Sequence, residues 1–355
     1  MAGKYKKIKF SEINLDDPFF DSLKDDYIEF PEWFRKKCSQ EEYAFVFTDE
    51  AGIGAFVYLK IEKEEIQLEN NSLEPKNRLK IGTLCLAERC RGKRLGEGSL
   101  GLALWKWRDE NLDEIYVTVF EKHILLIDLL KKFGFILAGT NNRGEHVYIR
   151  RRSEIYYSDS YKSFPFINPN FTEAGIIPIY DTFHDKLFPY SELKNGNLDI
   201  EEETAGNGIS KIYIATPYKK MHYTVGEPVF IYRIYQGETG KTYKSAITSY
   251  CTISNVEIIK ENNSIHISFD NFVKKAGNKV AFSFDELEKI YSKQNVIMLE
   301  LVYNGYFGKG HNVNHKTLKE SGLFEDYPYN ITLSKNNFIK ILRMGDVNVQ
   351  NVIID

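Results

Sequence analysis

The chain has 355 residues, a formal net charge of −3, and 43% hydrophobic and 14% aromatic residues. That length accommodates two domains of ordinary size, and the apolar content excludes a disordered chain. The near-neutral charge excludes a broadly basic nucleic-acid surface, though not a local basic patch.

The four cysteines (Cys38, Cys85, Cys90 and Cys251) lack the paired spacing of a zinc site or a disulfide framework, so no metal is expected. The opening MAGKYKKIKF lacks the apolar stretch of a signal peptide, and no run is long enough to span a bilayer. The expectation is a cytoplasmic protein with no membrane contact. Nothing in the sequence speaks to its oligomeric state.

Tyr5–Phe10 reads as a first strand, followed by short helices over Asp16–Tyr27 and Pro31–Cys38, with Pro31 suited to a first helical position. Tyr43–Thr48 and Ile53–Ile61 read as a hairpin. Arg78–Leu86 is a fourth strand, and it feeds the stretch LCLAERCRGKRLGEG (Leu84–Gly98). Apolar residues at Leu100, Ala103, Leu104 and Trp107 then follow a helical period. A strand leading through a glycine-rich turn to a helix start presents backbone N–H groups to an anion, and the helix dipole favours negative charge there. The cations Arg89, Arg91, Lys93 and Arg94 surround the turn and favour a phosphorylated ligand. A solvated basic turn that merely starts a helix is the plain alternative. Glu114–Phe120 reads as a fifth strand and Lys122–Phe133 as a helix ended by Gly134. Phe135–Ala138 and His146–Arg150 form a closing hairpin around the turn chemistry of Thr140–Gly144.

Arg91, Gly92, Lys93, Arg94, Leu95 and Gly96 resemble the coenzyme A loop of the GNAT N-acetyltransferases, whose pattern is Arg/Gln-x-x-Gly-x-Gly/Ala after the fourth strand. LIDLLKKFGF (Leu126–Phe135) resembles that family's next helix. The resemblance implies acetyl-CoA as cofactor. It places the pantetheine arm along Leu84, Cys85 and Leu86, the phosphates on the loop, and His123 near the coenzyme. The chain departs from the pattern in two places. Arg94 stands where the first motif glycine belongs, and it still offers a backbone N–H provided its φ stays negative. Leu130 stands where the family carries the Tyr that protonates the leaving thiolate. Tyr116 or a water is the replacement acid, and Glu88 and Glu121 are the nearby carboxylates for a general base.

Tyr156–Tyr190 is rich in aromatics and Pro without a sustained helical period, and reads as an ordered linker. The polar stretch Lys194–Asn207 suits the boundary. Beyond it, Ile212–Ala215, Pro228–Tyr235, Tyr243–Val256 and Val296–Tyr303 read as strands. Ser283–Ser292, Thr317–Leu323 and Ser334–Arg343 read as helices, the last with Ser334 as N-cap.

GISKIYIATP (Gly208–Pro217), YTVGEPVFIYR (Tyr223–Arg233) and AITSYCTISNVEII (Ala246–Ile259) resemble elements of the PUA-like group that includes ASCH and EVE domains. That resemblance implies RNA or modified-base binding, with Tyr250 and Tyr303 as candidate substrate-stacking rings; packing in the core is the alternative for each ring. The expected architecture has three parts. Residues 1–152 form an α/β GNAT fold, a mixed sheet flanked by helices. Residues 153–207 are the linker. Residues 208–355 form an α+β PUA-like small β-barrel. The expected function is acetyl-CoA-dependent transfer of acetyl to an amine, with an RNA or tRNA-linked acceptor presented by the second domain. The alternatives are a protein or small-amine acceptor, or a catalytically weak module that binds acyl-CoA and nucleic acid.

Overall fold

The computed structural model describes residues 5–191, 204–218, 223–324, 328–329 and 331–354. The chain divides into two units, Met1–Glu154 and Ile155–Asp355. Each is a mixed sheet flanked by helices.

The first unit contains β1 (Lys6–Lys9), α1 (Asp21–Asp26), α2 (Phe30–Ser39), β2 (Tyr43–Asp49) and β3 (Gly52–Glu62). These are followed by β4 (Arg78–Leu86), α3 (Leu95–Asp109), β5 (Glu114–Val119), α4 (Ile124–Lys132), β6 (Ile136–Thr140) and β7 (His146–Arg151). The sheet order is β1-β2-β3-β4-β5-β7-β6. Every neighbour is antiparallel except β4 and β5, which are parallel and joined through α3. Strand alternation sorts the faces. Val46 and Phe56 pack with Phe10, Phe20, Phe30 and Phe34 from the α1–α2 side. Their chain neighbours Phe47 and Ala55 pack with Leu95 of α3.

The second unit contains β8 (Glu173–Tyr180), α5 (Asp181–Leu187), β9 (Ser210–Ala215), β10 (Pro228–Ile234), β11 (Ala246–Glu261), α6 (Phe269–Ala276) and α7 (Phe284–Tyr291). It continues with β12 (Val296–Tyr306), α8 (His315–Glu320), β13 (Thr332–Ser334) and α9 (Lys335–Met344). Its main path is β9-β12-β11-β10-β8-β13. The small barrel expected here is not formed by the described residues. The path stays open from β9 to β13, because no ladder joins those two strands. Phe230 of β10 stacks on Phe338 of α9 at 4.3 Å, which anchors that helix to one core. A second core joins Phe272 of α6 and Leu287 of α7 to Ile212, Val296 and Met298.

The segment read as a Pro-rich linker contributes β8. Pro178 is tolerated there because β13 pairs only with Glu173–Gly175. Beyond Gly175 that side of β8 has no ladder among the described residues, and a missing N–H costs nothing. Of the expected boundary Lys194–Asn207, residues 194–203 lie outside the described residues, and Thr204–Asn207 form one helical turn.

Candidate active site

The first unit opens between its two parallel strands. β4 and β5 pair from Arg78↔Glu114 to Ile81↔Val117 and no further. β4 continues beside β3 as far as Leu86↔Ala55, and β5 beside β7 as far as Val119↔His146. The facing edges of Gly82–Leu86 and Thr118–Val119 are therefore parted among the described residues.

A bulge coincides with the point of parting. Tyr58 of β3 is opposite Thr83, and Leu59 is opposite Ile81, so Gly82 is the extra residue. A bulge bends its strand and raises its twist. Only glycine fits, because a Cβ at Gly82 would lie 2.8 Å from Tyr58 Cδ1. At the other end a buried ion pair holds the strands together. Arg78 Nε donates to Glu114 Oε2 at 2.6 Å, and Arg78 Nη1 and Nη2 donate to the carbonyls of Glu64 and Glu74.

The basic loop lies beyond the open end. Gly92 has φ +77° and Arg94 φ +61°, and α3 begins at Leu95. The negative φ required of Arg94 does not hold: this arginine adopts the left-handed region that a glycine would occupy at no cost. Its side chain does not cap α3. It is buried against Glu97, with Nη2 2.7 Å from Oε2. The N–H groups of Leu95 and Gly96 have no intrahelical acceptor. Gly96 brings α3 close to β4, since a Cβ there would lie 3.2 Å from Leu86 Cδ1. The loop's other cations are also engaged. Arg89 Nη2 donates to Asp49 Oδ1 at 2.8 Å and to the Ile53 carbonyl, while Arg91, exposed, pairs with Glu88 at 3.2 Å. Lys93 is exposed.

Leu84, Cys85 and Leu86 are half-buried on the parted edge of β4. Burial pushes the Cys85 thiol up to about 11, offset in part by Ser22. His123 stands exposed at the N-terminal end of α4 without a side-chain capping bond, and its Nε2 lies 3.3 Å from Asp26 Oδ2. Leu130 is fully buried. Tyr116 lies in the paired part of β5, and its hydroxyl donates to Glu62 at the closed end of β3. Burial, then that carboxylate, raise its pKa far above the ordinary phenol value. Glu88 is exposed in the turn Glu88–Cys90. In the second unit, Tyr250 and Tyr303 are each 1% exposed, so neither ring is presented to solvent.

Solved structures of N-acetyltransferases and of ASCH proteins are similar to this chain. An N-acetyltransferase (PaiA) from Thermoplasma acidophilum, solved with coenzyme A, has 16% identity and a TM-score of 0.32, covering 42% of this chain and 99% of its own. An N-acetyltransferase from Staphylococcus aureus has 15% identity and a TM-score of 0.33, with the same coverage. The ASCH protein from Zymomonas mobilis has 9% identity and a TM-score of 0.31, covering 47% of this chain and 92% of its own. No protein-family profile matches the sequence, and no curated protein matches it.

The structure adds a carboxylate that sequence reading missed. Glu145, 4% exposed, accepts from Tyr27 Oη at 2.7 Å, Thr118 Oγ1 at 3.3 Å and Asn141 Nδ2 at 2.9 Å. Thr118 lies just past the last β4–β5 pair, so Glu145 sits beside the opening. Tyr27 also packs on Phe120 at 5.5 Å. Glu145 reads in sequence as part of a hairpin turn, and only the fold brings Tyr27 to it. Gly82 left a legible signal, because an isolated glycine within a strand pattern marks a bulge.

Among the described residues no three His, Cys, Asp or Glu cluster to hold a metal, and no helix is long and apolar enough to cross a membrane.

Proposed function

We propose that the first unit is an acetyl-CoA-dependent N-acetyltransferase that transfers acetyl directly to an amine. The observation that carries this reading is the parting of β4 and β5 at the Gly82 bulge, with the Gly92–Gly96 loop at the open end. Parted strand edges offer main-chain N–H and C=O groups to an extended amide-bearing arm, and the N–H groups that start α3 offer an anion site.

In this reading Leu84, Cys85 and Leu86 line the arm, and Arg91 to Gly96 meet the phosphates. An N–H of the parted β4 edge stabilises the oxyanion as the amine nitrogen bonds to the acetyl carbon; the carbon–sulfur bond then breaks, its electron pair leaving with sulfur as the coenzyme thiolate, which takes its proton from water. Positioning the two reactants supplies much of the rate. Glu145 takes the proton that the amine sheds, directly or through one water. Glu88, exposed and paired with Arg91, and Tyr116, whose hydrogen goes to Glu62, are given no step.

The test is calorimetric titration of acetyl-CoA into the wild type and into Gly96→Glu, followed by thiol release with protein, small-amine and RNA acceptors. Saturable binding that is lost in Gly96→Glu supports the coenzyme site. Thiol release then identifies the acceptor class, and Glu145→Gln is expected to lower kcat at least tenfold while coenzyme affinity stays unchanged. No binding by the wild type would overturn the reading.

A further inference from the structure

Phe20 and Phe30 are buried and pack ring to ring at 5.8 Å. Between them residues 21–29 make an excursion, α1 and its turn into α2, in which every residue is exposed or only half-buried. Leu23 and Tyr27 touch the aromatic core while half-buried, and Ile28 is 92% exposed. The excursion is thus pinned at its ends without a core of its own.

It reaches both banks of the opening. On the β4 bank, Ser22 of α1 hydrogen-bonds the Cys85 thiol. On the β5 bank, the Tyr27 ring packs on Phe120 at 5.5 Å, and Asp26 pairs with Lys122 and lies 3.3 Å from His123 Nε2. Arg143, in the turn between β6 and β7, pairs with Glu29. Ion pairs at a surface are individually weak, and a segment held by such ties opens locally while the domain stays folded.

The excursion covers Glu145, which is 4% exposed. Thr118 and Asn141 donate to this carboxylate from the strands and hairpin of the site itself. Tyr27 donates to it from the excursion, with Oη 2.7 Å from Oε1. A base must lie within hydrogen-bond reach of the proton it takes. The Tyr27 hydroxyl stands where the N–H of an incoming amine would donate.

We propose that residues 21–29 are a flap closed over the opening and latched by Tyr27, and that the acceptor amine enters by displacing the Tyr27 hydroxyl from Glu145. The displacement step rests on the acetyltransferase reading, whereas the flap is independent of it.

The experiment is amide hydrogen exchange by mass spectrometry on the full chain at constant pH. The probe is n-butylammonium chloride. Tetramethylammonium chloride, which has no N–H to donate, matches it in charge and ionic strength. Without probe, peptides covering residues 21–29 are expected to exchange faster than those of α2. Tyr27→Phe should speed them about tenfold further and leave α2 unchanged. Butylammonium should speed exchange of residues 21–29 saturably in the wild type, tetramethylammonium should not, and Glu145→Gln should lose the response. Exchange there as slow as in α2, or unchanged by Tyr27→Phe, overturns the flap. An equal response to both cations, or one that survives in Glu145→Gln, overturns the displacement.

The same variants are titrated with acetyl-CoA by calorimetry and assayed with the acceptor that thiol release identifies. Tyr27→Phe is expected to lower the acceptor KM about fivefold with kcat and acetyl-CoA affinity unchanged, because the acceptor no longer competes with a latch. A rise in KM overturns the displacement, since Tyr27 would then be holding the acceptor. No acetyl-CoA binding alongside the expected exchange pattern overturns the acetyltransferase reading while supporting the flap.

Discussion

Arg78 and Glu114 face each other across the closed end of β4 and β5, 2.6 Å apart, with both side chains almost fully buried. The pair holds the strands together where the ladder is intact, and four residues later Gly82 turns β4 out of it. Clamp and bulge together set where the opening begins. Arg78→Met leaves Glu114 with Lys76 at 3.1 Å and Arg151 at 3.3 Å, and it strips the Glu64 and Glu74 carbonyls of their donor, so it is expected to cost about 1–3 kcal/mol in urea unfolding. Burial works against the Glu114 charge, but Arg78 and then Lys76 hold its carboxyl below the ordinary glutamate range. Its contribution is therefore fully present above the unfolded-state value of about 4.3 and fades as pH falls below that. The loss caused by Arg78→Met should shrink over the same acid range.

Gly82 separates a packing requirement from a backbone one. Its φ is not in the left-handed region, and the constraint is Tyr58. Gly82→Ala forces that ring aside and is expected to destabilise the unit by about 1–3 kcal/mol. Tyr58→Ala makes the space, so Gly82→Ala should cost little in that background. A double-mutant cycle in denaturant measures the coupling.

Elements with local signals are legible in the sequence. The strand read over Arg78–Leu86 has those bounds, and Ser334 caps α9 by accepting from the Asn337 amide. What escapes sequence reading depends on distant partners. β8 hides behind Pro178, whose tolerance comes from where β13 stops pairing. Tyr27 and Glu145 are 118 positions apart, and nothing local in either segment announces their contact. The left-handed φ of Arg94 is not legible because the residue type argues against it.

That φ makes a sharp comparison possible. Arg94→Gly removes the left-handed penalty along with the Glu97 ion pair, whereas Arg94→Ala removes the pair and keeps the penalty. The alanine variant should therefore be less stable than the glycine variant by about 1–2 kcal/mol. Equilibrium denaturation of the two variants checks this, and equal stabilities would mean that the loop relaxes to negative φ.

In the second unit, Asp185 joins two buried neighbours and makes stability depend on pH in two steps. Its oxygens accept from Arg233 Nε at 2.7 Å and Nη2 at 2.8 Å, and Oδ1 lies 2.8 Å from His184 Nδ1. His184 Nε2 lies 2.7 Å from Thr248 Oγ1, and its ring is fully buried. Burial depresses the His184 pKa against the pull of Asp185. Below pH about 6.5 the unfolded chain takes up a proton that native His184 resists, so stability falls as pH drops through that region. Burial opposes the Asp185 charge too, but the Arg233 hydrogen bonds hold its carboxyl down to about 2. Its contribution, about 2–3 kcal/mol, is present above pH about 4 and lost between there and about 2. Denaturant midpoints from pH 8 to pH 5 should fall in the wild type and flatten in His184→Gln. Asp185→Asn should instead lower stability across the whole range by about 2–4 kcal/mol, because buried Arg233 then keeps only Asp181, at 3.7 Å, as a counter-charge. If His184→Gln kept the wild-type slope between pH 7 and 5, the first step would belong to another group.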